Sequence, residues 1–262
     1  NDLAILLTAK HYSGYERAAV SGSSVCVANS EATKRDFEVR YSPPADWDCE
    51  VVHWGVDTSM FVPLHRDDED SMATHEGIRS SYGGSRLILA VGRLAARKGY
   101  GLLLRAFAKV HAADPSARLV IVGRGHLRSR LLRQARVLGV AEAVTIESGM
   151  PFEDLASLFR SADLVVYPSY YEGQGLIPLE AMASGTPVVT VDHGPLPEMV
   201  DQSVGRLFEM GDPDAMAEAI MAELADSEEM LSKGETGRRR VLEGFTFESN
   251  AARFEAIYER AQ

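Results

Sequence analysis

The segment Pro168-Ser-Tyr-Tyr-Glu-Gly-Gln-Gly-Leu-Ile-Pro-Leu-Glu-Ala-Met-Ala-Ser-Gly-Thr-Pro187 decides how this chain is expected to fold. The apolar run from Ala162 to Tyr167 leads into it and is typical of a buried strand. A Gly-x-Gly turn follows, and the sequence predicts a helix from about Gly175 to Ser184. Strand, glycine loop and helix form an anion site, because free N–H groups and the positive end of the helix dipole face outward from the sheet edge.

Two glutamates flank this turn. If the helix begins near Gly175, Glu180 lies about 7 Å along its axis, at ~1.5 Å per residue, while Glu172 stays in the loop. Ionised carboxylates only accept hydrogen bonds and so suit sugar hydroxyls. A nucleoside diphosphate sugar has hydroxyls on both sides of its diphosphate and would match this spacing. Alternatively, the glutamates only interact favourably with the positive end of the helix dipole. That would explain Glu172 better than Glu180.

Composition excludes several classes of protein. The chain has 262 residues, of which 45% are hydrophobic and 25% charged, as in ordinary globular proteins. Its formal net charge of −11 argues against a nucleic-acid-binding surface, so any phosphate site must be a local cluster of basic groups. No apolar run reaches the length of a membrane span. We therefore predict no nucleic-acid partner and a cytoplasmic protein, with membrane association only through an acceptor.

Strands and helices alternate along most of the chain, which predicts a Rossmann-like, doubly wound parallel sheet of the α/β class. The predicted strands are 24–28, 50–54, 86–91, 118–122, 143–146, 162–167 and 187–191. The predicted helices are 30–41, 100–113, 126–138, 152–162, 175–184, 213–224, 227–242 and 247–260. Ser30 is the predicted N-cap of the first helix, and the last helix has a predicted apolar face formed by Phe247, Ala251, Phe254, Ile257 and Tyr258. Residues 55–70 are predicted to be irregular, ending in a solvated acidic loop at Asp67–Asp70.

In such a sheet, ligands bind outside the carboxyl ends of the strands. The loop Gly92–Gly99 leaves one such end and carries Arg93 and Lys98, whose charges could neutralise a diphosphate. Taken alone, these cations would indicate only an exposed basic loop. Because the chain as a whole is acidic and the loop before Gly175 is also suited to bind an anion, a phosphate site is favoured.

Two further loops leave strand ends. Gly123 and Gly125 form a Gly-x-Gly turn without the third glycine of a dinucleotide fingerprint, so a tight turn and a base or sugar contact are both open. The loop at Met150 offers backbone groups to a base, or is simply the start of a helix. The seven histidines show no metal-ligand spacing, and we predict neither a metal nor another cofactor.

In combination, these residues resemble the retaining glycosyltransferases of the GT-B fold, specifically glycosyltransferase family 4. The resemblance runs from about Val25 to the C-terminus. The marks occur in order and comprise Val56-Asp57 with Phe61 and Pro63, Val91-Gly-Arg-Leu with Lys98-Gly99, Gly123-x-Gly125, Pro168-Ser169, the pair Glu172 and Glu180 with Ala181-Met182-Ala183, Gly185-x-Pro187-Val188, and Gly194-x-Leu-Pro-Glu198.

The resemblance implies a role for each candidate residue. It makes Arg93, Lys98 and Glu172 the catalytic groups, with the two cations on the donor diphosphate and Glu172 on the transferred sugar. Glu180 would bind the ribose, and Met150 would lie against the base. The remaining donor-binding positions that the resemblance implies are Gly92, Gly123, Gly173, Gln174, Gly175 and Leu176. Family members generally need no metal, and the leaving phosphate is thought to take the acceptor proton.

The resemblance also implies a domain organisation. Residues 1–50 would be the remnant of an N-terminal acceptor domain, 51–246 the nucleotide-sugar domain, and 247–262 a helix that crosses back to the acceptor domain. The chain begins at Asn1 in what resembles the middle of a helix, so we expect a fragment. The implied partners are the nucleotide sugar, an unknown acceptor, and the missing domain or a partner chain. Self-association through the uncovered crossing helix is also expected.

Three functions remain open at this point. The first is a glycosyltransferase whose donor half is present. The second is a nucleotide-sugar-binding subunit that is not catalytic without a partner chain. The third is another GT-B enzyme, such as an epimerase or a phosphorylase. Gln174, where most family members carry an aromatic residue or serine, leaves the sugar preference open.

Overall fold

The computed structural model describes residues 22–45, 47–83 and 85–261. Its strands are β1 (Cys26–Ala28), β2 (Cys49–Val51), β3 (Arg86–Val91), β4 (Ala117–Val122), β5 (Val144–Glu147), β6 (Leu164–Tyr167), β7 (Val188–Val191) and β8 (Gly205–Phe208). Its α-helices are α1 (Glu31–Tyr41), α2 (Glu69–Tyr82), α3 (Tyr100–Ala113), α4 (Arg128–Val137), α5 (Phe152–Ser161), α6 (Leu176–Ala183), α7 (Pro213–Leu224), α8 (Ser227–Gly244) and α9 (Phe247–Ala261).

Six of the strands form one parallel sheet in the order β5-β4-β3-β6-β7-β8. The central strands are buried along nearly their whole length, as expected for a sheet that helices cover on both faces. The predicted doubly wound α/β fold is therefore confirmed. After β5 the chain crosses back to place β6 beside β3, which creates a topological switch point at the carboxyl ends of these two strands.

A second, two-stranded parallel sheet pairs β1 with β2. Ser30 caps α1 as predicted, since its Oγ accepts a hydrogen bond from the N–H of Thr33 at 3.0 Å. The predicted strand 50–54 is shorter than expected, because pairing with β1 ends at Val51 and Trp54 lies beyond it. Residues 1–21, which include the start of the predicted acceptor-domain remnant, lie outside the described residues.

The prediction for the acidic run at Asp67–Asp70 was wrong. Asp68 is the N-cap of α2, and its side chain accepts a hydrogen bond from the N–H of Asp70. Glu69 and Asp70 occupy the first turn, where negative charge is favourable for the helix dipole. Within the described chain α2 has no fully buried residue, which is why the apolar pattern did not predict it. The short edge strand β8 was also not predicted.

The last helix, α9, carries the predicted apolar face. Ile257 is buried, whereas Phe247 is 56% and Tyr258 is 64% exposed, so this face is only partly covered. Among the described residues, no helix is both long and apolar enough to cross a membrane.

Candidate functional site

Two loops meet at the switch point between β3 and β6. The backbone N–H of Tyr170, after β6, donates to the carbonyl of Arg97, after β3, at 2.8 Å. Gly99 has φ of 69°, and a Cβ at this position would lie 2.1 Å from the carbonyl oxygen of Pro168. Only glycine therefore allows the two loops to approach this closely.

Lys98 and Glu172 form an ion pair across this junction. The Lys98 Nζ contacts a carboxylate oxygen of Glu172 and also donates to the Tyr167 hydroxyl at 2.7 Å. Ser169 Oγ donates to the same carboxylate at 2.5 Å, and Arg97 Nη1 lies 3.4 Å from it. Lys98 is only 8% exposed, so the pair is largely removed from water.

The partners of Glu172 determine its charge. Burial raises the pKa of its carboxyl, but hydrogen bonds from Lys98 and Ser169 outweigh burial and hold the pKa below its usual range. Burial lowers the pKa of Lys98, and the contact with Glu172 opposes that effect. The Glu172 carboxylate can therefore accept a hydrogen bond from a ligand hydroxyl. The Lys98 ammonium can bind a ligand anion while it remains paired with Glu172.

Arg93 extends from the same loop as Lys98. It is exposed, and within the described chain its side chain makes no hydrogen bond or ion pair. The loop leaves the sheet at Gly92, which has φ of 143°. Gly123, at the end of β4, packs against this turn, since a Cβ there would lie 1.9 Å from the Gly92 carbonyl oxygen. These two glycines thus shape the turn, and Arg93 is a cation available to a ligand.

The third element of the site is the start of α6. Gly175 has φ of 104°, and Leu176 begins the helix. No side chain caps this end among the described residues, so its first N–H groups are not satisfied by a cap. Together with the helix dipole, they favour an anion at this position.

Glu180 lies in the second turn of α6. The side chain is partly buried, and it accepts no hydrogen bond from any described side chain or backbone group. Burial without a partner raises the pKa of its carboxyl to about 7. Glu180 is therefore a hydrogen-bond acceptor without a protein donor, whose charge changes near neutral pH.

Three side chains hold the loop between these glutamates: Ser30 and Thr33, which lie outside the predicted site residues, and Gln174, which is one of them. The Gly173 carbonyl accepts hydrogen bonds from Ser30 Oγ at 2.7 Å and Thr33 Oγ1 at 2.9 Å. The Gln174 side chain is 3% exposed and bonds to the backbone of Trp54. Sequence reasoning identified Ser30 only as a helix cap, because nothing in a local pattern indicates a partner about 140 residues away.

Glu198 attaches α1 to the same region. Its carboxylate accepts hydrogen bonds from the N–H groups of Glu31 at 2.9 Å and Ala32 at 2.7 Å, in the first turn of α1. His53 Nε2 lies 3.2 Å from it. Glu198 ends the motif Gly194-x-Leu-Pro-Glu198, and in the structure it is a hydrogen-bond acceptor at the N-terminus of α1.

Met150 lies farther from the ion pair. It follows β5, which is separated from β3 by β4, so it is about 10 Å away at ~4.8 Å per strand. Met150 is half-buried against the core. A Cβ on the neighbouring Gly149 would lie 2.8 Å from Arg124 Nη2, so that guanidinium rests against the same loop. This loop and the ion pair therefore both lie at the carboxyl edge of the sheet.

Two clefts are relevant to the location of function. The larger, of about 1250 Å³, lies at the amino ends of β6 and β7, between residues 63–68, α2 and α8. The smaller, of about 90 Å³, lies between α1 and the loop Ser169–Glu172. We assign the functional site to the carboxyl edge despite the smaller volume, because the converging charges and the uncapped helix lie there. Across the described ranges, no group of three His, Cys, Asp or Glu side chains could hold a metal ion.

Comparison with known proteins identifies the family and the fold of this chain. The sequence pattern of the family described as "Glycosyl transferases group 1" matches residues 73–240. The MMP alpha-(1->4)-mannosyltransferase of Mycolicibacterium hassiacum is 36% identical over 215 residues, which are 80% of this chain and 48% of that protein. The GDP-mannose-dependent alpha-(1-6)-phosphatidylinositol monomannoside mannosyltransferase of Mycolicibacterium smegmatis is 34% identical over 234 residues, which are 86% of this chain and 59% of that protein.

A solved structure shows the same fold. Sucrose-phosphate synthase from Thermosynechococcus elongatus superposes with a TM-score of 0.84 at 26% identity, over 96% of this chain and 61% of that chain. This chain thus spans about half to three fifths of the length of these proteins. With the family pattern matched across the sheet that carries the site, the chain belongs to the glycosyl transferases of group 1 and has their GT-B-type α/β fold.

Proposed function

We propose that this chain carries the donor site of a retaining glycosyltransferase that moves a sugar from a nucleoside diphosphate sugar to an acceptor. The observation that carries the proposal is the convergence of three features at one switch point: the buried Lys98–Glu172 pair, and Arg93 and the start of α6, which have no side-chain partner or cap among the described residues. Membership of a glycosyltransferase family, and the GDP-mannose dependence in the name of one relative, support a nucleotide-sugar donor.

The diphosphate is proposed to bind between the basic loop and α6. Arg93 supplies a forked pair of donors, Lys98 a point charge, and the N–H groups at Gly175 and Leu176 complete the anion site. These groups stabilise the negative charge that develops on the departing nucleotide. The arrangement supplies this stabilisation from the chain's own residues, and we propose that donor binding requires no divalent metal.

The two glutamates are proposed to bind hydroxyls on opposite sides of the diphosphate. Glu180, which has no donor among the described residues, accepts from the ribose, and Glu172 accepts from the transferred sugar. Met150 and its loop lie against the base. In the transfer step, the acceptor oxygen bonds to the anomeric carbon on the face from which the phosphate leaves, the carbon–oxygen bond to phosphate breaks, and the acceptor proton passes to the leaving phosphate.

The proposal is tested by binding and product analysis. Arg93→Ala should weaken nucleoside diphosphate binding by about 1.5–3 kcal/mol, the range for charge-assisted hydrogen bonds, in calorimetry. Arg136→Ala, which removes an exposed arginine at the end of α4, is the matched control and should bind normally. Unchanged affinity in the Arg93 variant would refute the diphosphate site. Loss of binding in chelator, restored by magnesium, would refute the metal-independent mechanism.

Catalysis is separated from mere binding by following sugar release. A nucleotide-sugar panel should yield one or more donors from which free nucleoside diphosphate is released, and the anomeric configuration of the product, read by proton NMR, should match the donor. Binding without release would instead favour a non-catalytic binding subunit, and inversion would overturn the retaining assignment.

A further inference from the structure

The side chain of Gln174 makes two hydrogen bonds to one distant residue. Its Oε1 accepts from the backbone N–H of Trp54 at 2.6 Å, and its Nε2 donates to the Trp54 carbonyl at 3.0 Å. The side chain is 3% exposed, so it is not available to make a second set of contacts without breaking the first. Leaving these buried polar groups unpaired would be costly, so the two hydrogen bonds hold the Gln174 side chain in one position relative to Trp54.

The partner of this contact is held from its other side. Residues 53–56 follow β2 and lead toward the six-stranded sheet and its helices. The His53 carbonyl accepts a hydrogen bond from Asn250 Nδ2 of α9 at 2.8 Å. The N–H of Val56 donates to the Phe245 carbonyl at 2.9 Å. Gly55 packs so tightly that a Cβ there would lie 2.3 Å from the Thr246 backbone. Contacts with residues 245–250 therefore hold residues 53–56, and with them the Trp54 backbone, in place.

The residues on either side of Gln174 are functional under the proposal above. Glu172 lies two positions before it and Gly175 one position after it, at the start of α6. A shift of the Gln174 backbone would move the carboxylate and the helix start together. Small displacements of positioning groups reduce catalysis strongly, because they misalign the reacting atoms.

We propose that Gln174 is a positioning residue that uses the backbone of Trp54 to hold Glu172 and the start of α6 in the geometry that recognises the donor sugar. This inference rests on the proposed donor site. It assigns the function to the side-chain amide itself and not to a contact between Gln174 and the donor.

The test uses two near-isosteric variants. Gln174→Met keeps the volume and loses both hydrogen bonds. Gln174→Glu keeps the acceptor for the Trp54 N–H but places a carboxylate against the Trp54 carbonyl, and protonation restores the missing donor. At about pH 8 both variants should bind nucleotide sugar about 10-fold more weakly than the wild type and free nucleoside diphosphate about 3-fold more weakly, since the diphosphate keeps Arg93 and Lys98 but shares the displaced start of α6.

The pH dependence distinguishes positioning from loss of fold. Near pH 5.5 the Gln174→Glu variant should recover to within about 3-fold of the wild type measured at the same pH, because burial raises the pKa of the new carboxyl. Gln174→Met should remain about 10-fold weaker at both pH values. The titratable groups of this region include Glu172 with Lys98, Glu180, and His53 with Glu198. They are the same in the wild type and both variants, so the ratio isolates position 174.

A donor-independent measurement separates this inference from the proposed function. In amide hydrogen exchange of the free protein, peptides covering 52–56 and 170–178 should exchange about 10-fold faster in Gln174→Met than in the wild type. Unchanged exchange in both peptides, or no recovery of Gln174→Glu at low pH, would overturn the positioning role. If exchange changes but the wild type binds no nucleotide sugar, the contact is upheld and the proposed donor site fails.

Discussion

The loop Ser169–Gln174 and the helix α6 each carry one glutamate, and the two carboxyls differ sharply in their surroundings. Glu172 contacts Lys98, Ser169 and Arg97, and its pKa lies below the usual range. Glu180 has no described hydrogen-bond partner, and burial raises its pKa to about 7. The difference shows that residue type and burial do not set the charge of a carboxyl, because nearby donors outweigh desolvation at one position and are absent at the other.

The two carboxyls should make opposite contributions to the change of folding stability with pH. Glu172 has a lowered folded pKa, so its stabilising contribution is present above its unfolded pKa and is lost as pH falls through the folded value. Glu180 has a raised folded pKa, so stability is highest below its unfolded value and falls as pH rises toward about 7. At neutral pH the site therefore combines an ionised acceptor, Glu172, with one that is only partly ionised, Glu180.

The largest effect is expected from removing the cation beside Glu172. Lys98→Met should lower the free energy of unfolding at neutral pH by about 3 kcal/mol, because it leaves a largely buried carboxylate without its charge partner. The loss is limited because Glu172 can take up a proton. Chemical denaturation measures it, with Arg93→Met as the matched control that should change stability by less than about 0.5 kcal/mol. Equal stabilities of wild type and Lys98→Met would contradict the contrast between the two glutamates.

The unpaired carboxyl should show the reverse behaviour. Glu180→Gln is expected to stabilise the protein by roughly 2 kcal/mol at about pH 8, where the wild-type carboxylate is partly buried and charged, and to have little effect near pH 5. Unfolding free energies at both pH values measure this difference. The exposed Glu259→Gln on α9 serves as the control and should show no such change. A destabilising Glu180→Gln at pH 8 would mean that the carboxylate has a partner.

The two glutamates should affect ligand affinity differently, and each variant should lose about 10-fold in affinity for the ligands it contacts, which corresponds to one hydrogen bond. Glu180→Gln should weaken free nucleoside diphosphate and nucleotide sugar alike, whereas Glu172→Gln should weaken only the nucleotide sugar. Wild-type affinity for the nucleotide sugar, whose diphosphate has no ionisation in this range, should also rise from about pH 6 to pH 8 as Glu180 ionises, and this rise should disappear in Glu180→Gln. Calorimetry with both ligands checks this division, and identical profiles for the two variants would refute it.

The smallest effect concerns the hydroxyl beside Glu172. Ser169→Ala removes the 2.5 Å hydrogen bond to the carboxylate and should destabilise the protein by about 1 kcal/mol at neutral pH. The exposed Ser203 makes a similar 2.6 Å bond to Asp201, so Ser203→Ala is a matched control with an expected change under about 0.5 kcal/mol. If both variants lose the same stability, burial of the Glu172 cluster contributes nothing extra.

Local patterns predicted much of this fold because the central strands are continuously apolar. Such runs, each followed by a helix, are typical of parallel strands buried on both faces, and β3, β4 and β6 lie where the sequence predicts. α2 was missed for the complementary reason, since it packs with no fully buried residue and its sequence has little apolar periodicity. Its N-cap, Asp68, sits in an acidic run that equally suits a loop.

The amino-acid sequence by itself determined the α/β class, the glycine turns and the identity of Arg93, Lys98, Glu172 and Glu180 as candidates. These follow from residue type and spacing over short distances. Only the tertiary structure decided the strand order β5-β4-β3-β6-β7-β8, the pairing of Lys98 with Glu172 across 74 residues, and the contact of Gln174 with Trp54 across 120. The physical reason is that charge and hydrogen-bond satisfaction depend on what the fold brings within about 3 Å, which no local spacing specifies.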